Sequence, residues 1–365
     1  MVVGQRKTRV AVVMGGVSSE RDVSLSTGKQ ILDALDRDRY EAIGVDAALM
    51  LGGGRMLQKG ADTQVAAVAQ ARDALSGDNK LASIGDIAIP ASRLRPDVVI
   101  IALHGKYGED GTVQGMFDLL DIPYTGSGVL ASALAMDKSM AKKVLAADGI
   151  PVVESVDFVC KTGTWDQNSV ADAVARMGYP AIVKPSRQGS TIGMTKVTAP
   201  DELNHAVKEA AGYDSLIVIE RFIVGTELTV AVLGNDRPFA LPVVEIVPEK
   251  GFYDYEAKYT PGTTEEIVPA RISRQDAERA RELALASHAS LGCRGMSRVD
   301  MMSEAGDMRV LEVNTIPGMT PTSLLPRAAE AAGIPFSKLL DLLIGFALEE
   351  AVSYTHLTLP TTPYV

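Results

Sequence analysis

Two short segments of the 365-residue chain carry oxygen ligands at a spacing that suits a metal ion. Arg298-Val-Asp300 and Leu311-Glu312-Val-Asn314 lie in apolar runs joined by the turn-forming Ser303-Glu-Ala-Gly-Asp307, so a hairpin would set them side by side. Glu312 and Asn314, two apart, share one strand face, and with Asp300 they form a hard-oxygen set that fits Mg²⁺ better than a thiophilic metal. An ordinary solvent-facing hairpin accounts for the same residues, because exposed acids are common. A second segment shifts the balance. Lys184 ends an apolar run and is followed by Pro-Ser-Arg-Gln-Gly-Ser-Thr-Ile-Gly193. Gly189 and Gly193 permit close backbone approach, Ser190 and Thr191 add hydroxyls, and Lys184 adds charge, which together meet the needs of phosphoryl oxygens. Lys138 is a candidate second cation.

These segments need elements to hold them. Val10 to Met14 reads as a strand, Gly15-Gly16 as a turn, and Ser19 to Leu35 as a helix with a serine cap. A second buried strand, Asp97 to Leu103, ends at His104-Gly105 ahead of a helix over Thr112 to Leu120. Strands this apolar belong to parallel sheets covered on both faces. Helices are expected over Ala131 to Ala147, Asp201 to Ala211, Ser273 to Leu291 and Phe336 to Glu350. Strands are expected over Pro180 to Lys184, Leu216 to Ile219, Glu227 to Leu233 and Pro242 to Val247, with Leu216 to Ile219 opening a third block. The hairpin strands are Arg298 to Met302 and Met308 to Val313. Residues 47–90, rich in Ala and Gly, carry no motif and read as a variable insertion. The Thr- and Pro-rich end, residues 353–365, reads as a disordered or non-native tail.

Composition narrows the function. With 46% hydrophobic and 22% charged residues the chain is a folded globular protein, neither disordered nor fibrous, and its length fits two or three domains. A formal net charge of -10 argues against nucleic acid or an anionic membrane as partner. Cys160 and Cys293 form no C-x-x-C pair, so a disulfide framework or cysteine zinc site is excluded and a reducing cytoplasm is the expected location. Arg6, Lys7 and Arg9 precede an apolar run, as in a signal peptide, but Gly15-Gly16 interrupt it and no A-x-A site follows. No window reaches the roughly 18 apolar residues of a membrane span. Ser139-Met-Ala-Lys142 and Lys161-Thr-Gly163 match two of three signatures of penicillin-recognising enzymes, but no S-D-N accompanies them and the two lie unusually close in sequence. Walker A, G-x-G-x-x-G and H-E-x-x-H motifs are absent.

Eight segments in order carry a resemblance: Gly15-Gly-Val-Ser-Ser-Glu-Arg-Asp-Val-Ser24, Ala102-Leu-His-Gly105, Gly108-Glu-Asp-Gly-Thr112, Tyr124-Thr-Gly-Ser-Gly128, Met136-Asp-Lys138, Val183-Lys-Pro-Ser186, Tyr253-Asp-Tyr-Glu-Ala-Lys-Tyr259 and Glu312-Val-Asn-Thr-Ile-Pro-Gly-Met319. Together they resemble the D-alanine:D-alanine ligases of the ATP-grasp family. The resemblance implies α/β and α+β architecture in three domains: residues 1–126 with an open parallel sheet, 127–220, and 221–352, with ATP between the last two. It implies that Lys138 and Lys184 contact phosphates, that Glu220 and the backbone of Ile223 contact adenine, and that Glu227 contacts ribose. Asp300, Glu312 and Asn314 would hold two Mg²⁺ ions, with Mn²⁺ a substitute. Arg298 and the Gly318 N–H would stabilise an oxyanion, while Glu20, Ser190 and Tyr259 would form a hydrogen-bonded set closing a loop over the site. His104, Lys258, Ser323 and Leu324 would meet the D-alanines. The loop Phe252 to Thr260 should favour D-alanine over D-lactate as acceptor, and a homodimer is expected. Met296-Ser297, where many relatives carry an aromatic and a glycine, is a local departure. The rivals are another ATP-dependent carboxylate-amine ligase and a nucleotide-binding module without turnover.

Overall fold

The computed structural model describes residues 6–18, 20–48, 95–189, 191–248 and 264–356. Most of the 47–90 insertion, all of the loop Phe252 to Thr260 and residues 357–365 lie outside them. The chain begins with β1 (Thr8–Met14), α1 (Arg21–Ala34), β2 (Tyr40–Asp46), β3 (Val98–Ile101) and α2 (Thr112–Leu119). The strands form a parallel sheet in the order β2-β1-β3. All four residues of β3 are buried, as expected for a strand covered on both faces.

The helix expected over Ala131 to Ala147 is two, α3 (Val129–Met136) and α4 (Lys138–Ala147). Asp137 divides them: it leaves helical geometry and its carboxylate caps α4 by accepting from Met140 N, the ordinary way an aspartate starts a helix. The expected serine cap of α1 is also corrected, because the helix starts at Arg21 with Glu20 at the cap position and no side-chain capping bond. Ser18 Oγ instead donates to His104 O at 2.8 Å.

Next come β4 (Ser155–Val159), α5 (Gln167–Met177), β5 (Ala181–Pro185), β6 (Thr195–Val197), α6 (Leu203–Ala211) and β7 (Leu216–Arg221). The four strands make one sheet, β4-β7-β5-β6, so β7 closes the second block rather than opening the third. A six-stranded sheet follows from β8 (Thr226–Gly234), β9 (Phe239–Ala240), β10 (Val244–Pro248), β11 (Thr264–Ile267), β12 (Gly295–Glu304) and β13 (Asp307–Asn314), ordered β11-β10-β8-β12-β13 with β9 on β8. Helix α7 (Arg274–Ser290) sits within this run, and α8 (Leu324–Ala331) and α9 (Phe336–His356) end it. Helix α9 runs through Ser353 to His356, which corrects the start of the expected tail. Among the described residues no single helix is long and apolar enough to cross a membrane.

Period-two alternation in β8 distributes the core. Leu228, Val230 and Val232 pack with α3, α4 and α7 residues on one face, whereas Ala231 and Leu233 pack on the other with the parallel sheet, α8 and α9. In β12, Val299 and Met301 enter the first of these cores, so Arg298 and Asp300 must point the opposite way. The four-stranded sheet has its own core with α5 and α6.

Two stability predictions arise here. A Cβ on Gly225, between β7 and β8, would lie 2.2 Å from the Ser303 carbonyl oxygen, and backbone cannot swing aside as a side chain can. Gly225→Ala should therefore cost about 1–3 kcal/mol, read from the urea unfolding midpoint. His288 in α7 is buried, shares a 2.7 Å hydrogen bond with Ser297 Oγ, and leaves Nε2 without a partner among the described residues. Burial lowers its pKa from the ordinary 6.5 to about 4. The unfolded chain then binds the proton first, so this contribution is fully present above pH 6.5 and is lost as pH falls toward 4. His288→Gln should flatten the dependence of the melting temperature on pH across that window.

Candidate active site

The chemistry-bearing residues converge because short polar contacts bind three loops together. Ser24 Oγ accepts from Gly15 N and donates to Ala102 O, while the Arg21 guanidinium grips Asp46 (2.9 and 2.7 Å) and donates to Gly16 O. Much of the Gly15–Ser24 motif thus fixes the turn that presents Glu20. Asp137 accepts from Ser186 Oγ, Lys138 N donates to Ser186 O, and Lys138 Nζ donates to Gln188 O at 2.7 Å. The Met136-Asp-Lys138 motif is therefore docked on the Val183-Lys-Pro-Ser186 motif. Gly189 comes against Glu20, whose Oε2 would lie 3.3 Å from a Cβ placed there.

Two cavities result. One of about 510 Å³, a size suited to a cofactor, is lined by Lys138, Lys184, Glu220, Ile223, Glu227, Asp300 and Glu312. The other, about 340 Å³, is lined by Glu20, His104, Glu109, Lys138, Arg298, Glu312, Asn314, Gly318, Ser323 and Leu324. Lys138 and Glu312 border both, and their charged groups meet at 3.3 Å. Ser190, Lys258 and Tyr259 lie outside the described residues.

The hairpin is not solvent-facing. β12 is paired on both sides, by β8 and β13, and Asp300 stands opposite Glu312 and Arg298 opposite Asn314, with a register shift after Asp300. The tight turn is Ala305-Gly306, both at positive φ, shorter than the five-residue stretch expected. Arg298 forks onto Asp300, Nε to Oδ1 at 2.9 Å and Nη2 to Oδ2 at 2.8 Å, and Thr229 Oγ1 donates to Asp300 Oδ1 at 2.5 Å. Asn314 Oδ1 accepts from Ile316 N. Among the described residues no cluster of three or more His, Cys, Asp or Glu is placed to hold a metal. Two carboxylates with one carboxamide nevertheless suit Mg²⁺, which takes one or two carboxylates and completes its shell with water and substrate phosphate.

Electrostatics distinguishes the two cavities. Burial alone would raise the Glu220 carboxyl, but the ammonium groups of Lys142 and Lys184, each 2.8 Å from Oε1, hold it below the usual carboxylate range. Burial opposes the charge on Lys184 too, yet Glu220 and Glu312 keep its pKa raised. In the second cavity burial pushes the His104 imidazole down, and its Nε2 is buried with no hydrogen-bond partner among the described residues. Glu109 is pushed up to about 8 by burial and by neighbouring Glu20, although it accepts from Gly105 N at 2.6 Å. Sequence reading assigned no role to Glu109, Lys142 or Thr229. Glu109 lies inside a quoted family motif, which is the available signal; Lys142 lies only in the S-x-x-K match, and Thr229 in no motif, so the roles of both become visible only through their contacts. The S-x-x-K match dissolves, since Ser139 Oγ accepts from Lys143 while Lys142 turns to Glu220.

Comparisons with known proteins identify the family of the chain. Family models described as "D-ala D-ala ligase N-terminus" and "D-ala D-ala ligase C-terminus" match residues 9–127 and 144–345. The chain is 42% identical over 344 residues to the D-alanine:D-alanine ligase of Pelotomaculum thermopropionicum, covering 93% of this chain and 97% of that one. A crystal structure of the Bacillus anthracis D-alanine:D-alanine ligase complexed with ATP superposes with a TM-score of 0.72 at 33% identity, covering 95% and 99%. That of the VanG D-Ala:D-Ser ligase from Enterococcus faecalis gives 0.73 at 32%, covering 94% and 100%. Two family models in order and full-length identity above 40% place the chain in the D-alanine:D-alanine ligase family.

Proposed function

We propose that the two cavities divide the family's reaction between them, with nucleotide in the larger and amino acids in the smaller. The chain is an ATP-dependent D-alanine:D-alanine ligase, an enzyme of peptidoglycan precursor synthesis. The observation that carries the site assignment is the shared Lys138–Glu312 border, because phosphoryl transfer needs the γ-phosphate beside the carboxylate that attacks it.

Lys138 and Lys184 would bind phosphate oxygens, Glu220 and the Ile223 backbone the adenine, and Glu227 the ribose. Asp300, Glu312 and Asn314 would hold Mg²⁺ or Mn²⁺, which when bound supplies neutralisation of phosphoryl charge. Glu20 would take the ammonium group of the first D-alanine, whose carboxylate attacks the γ-phosphate; ADP leaves and an acyl phosphate forms. The deprotonated amine of the second D-alanine then attacks the acyl carbon, and the tetrahedral adduct expels phosphate. Arg298 and the Gly318 N–H would stabilise its oxyanion. The orphaned His104 Nε2 offers a polar contact to substrate; at the start of α8 the Ser323 N–H is taken by Thr320 O, so Ser323 would meet the second carboxylate through its hydroxyl and Leu324 through its helix N-terminal N–H. Three working domains divided near 126 and 220, a homodimer, and a cytoplasmic location complete the reading; the three separate sheets support the division.

The test is ADP release by purified protein with Mg²⁺ and ATP, comparing no amino acid, D-alanine, L-alanine, and D-alanine with D-serine or D-lactate, with products identified by mass. D-alanine-dependent release with D-alanyl-D-alanine as product is expected. A flat response to every amino acid would refute the ligation reading, and a mixed product would reassign the acceptor.

A further inference from the structure

Lys142 lines neither cavity, and its side chain is only 5% exposed. It reaches from α4 past the Val153 carbonyl, 3.3 Å away, to Glu220 Oε1 at 2.8 Å, the same oxygen that Lys184 meets at 2.8 Å. One carboxylate therefore sits between two buried ammonium groups. Burying an ion is costly unless it is paired, and one cation suffices to pair one carboxylate, so the second needs a reason. Position supplies it: Lys184 and Glu220 face the larger cavity, and Lys142 stands behind them.

The inference rests on the reading that this cavity takes a nucleotide with Glu220 toward its base. On that reading Lys184 is drawn to the phosphates when nucleotide arrives and loosens its hold on Glu220. A buried carboxylate left without a cation tends to take up a proton, which turns an acceptor into a donor. We propose that Lys142 is a positioning residue that keeps Glu220 an anchored hydrogen-bond acceptor once Lys184 has turned to the phosphates. Glu220 then accepts from the exocyclic amine of adenine and rejects the carbonyl that guanine presents at the same place. Lys142 thereby supports the choice of ATP over GTP without touching either.

The experiment is calorimetric titration of the full chain with ATP and with GTP in the absence of amino acids, so that binding is read apart from ligation. The wild-type chain should prefer ATP. Lys142→Met should weaken ATP on the order of 10- to 100-fold while GTP changes by less than about threefold, the cost of removing one partner of a buried charge pair. Lys142→Arg, which keeps the charge, should restore the preference. Retention of the wild-type ATP-to-GTP ratio in Lys142→Met overturns the proposal. Equal weakening of both nucleotides also overturns it, because that marks a general packing role. If Lys142→Met does not fold, Lys142→Gln, polar but uncharged and one bond shorter than lysine, takes its place with the same expected and overturning results. A wild-type chain that selects ATP but forms no dipeptide counts against the ligation reading alone.

Discussion

Arg298→Met is expected to lower kcat by about 10²- to 10³-fold, the usual cost of removing one donor from a developing oxyanion. ATP affinity should change little, since Arg298 borders the smaller cavity and not the larger. Its guanidinium is held by two bonds to Asp300, and Asp300 keeps Thr229 as a partner when they are lost, so the strand should stay folded. Lys at this position carries the charge but not the planar fork, and should recover only a small part of the rate. Single-turnover rates alongside ATP titration separate the two effects. Wild-type kcat in Arg298→Met would remove the residue from the chemistry.

Glu312→Gln should lower turnover still further, by about 10³-fold or more, because several kcal/mol of charge neutralisation depend on the ions this carboxylate is proposed to hold. Glu312 also faces Lys138 at the border of both cavities. The neutral amide keeps the shape and removes the charge, so a folding defect is not expected to contribute. ADP release measured against Mg²⁺ concentration should shift to higher Mg²⁺ in the variant, and chelation should abolish turnover of the wild type. Turnover within tenfold of wild type at matched Mg²⁺ would exclude Glu312 as a ligand.

The strands around these residues could be read from local pattern. Val98–Ile101 is continuously apolar, and the hairpin shows as two β-rich runs about a glycine turn, so both were expected nearly where they lie. β2, β4, β6, β9, β11, α5 and α8 were not expected. β9 and β6 have only two and three residues, too few to show a period; β2 runs buried, exposed, part-buried and buried again without clean alternation, and β4 has no buried residue. The break at Asp137 is not legible in the sequence, because the apolar spacing continues across it, while a capping bond to Met140 N decides it.

The sequence by itself determined the ligand types, their order along the chain and the reaction class. Those follow from residue identity: hard oxygens at strand spacing, a lysine before a glycine-bearing loop, and eight motifs in family order. Only the tertiary structure decided which charges share a partner. The two lysines on Glu220 come from α4 and β5, Asp300 meets Thr229 across paired strands, and Glu20 meets Gly189 from another sheet's loop. Such pairings depend on how helices and sheets pack, over separations of dozens of residues, and short-range periodicity holds no information about them.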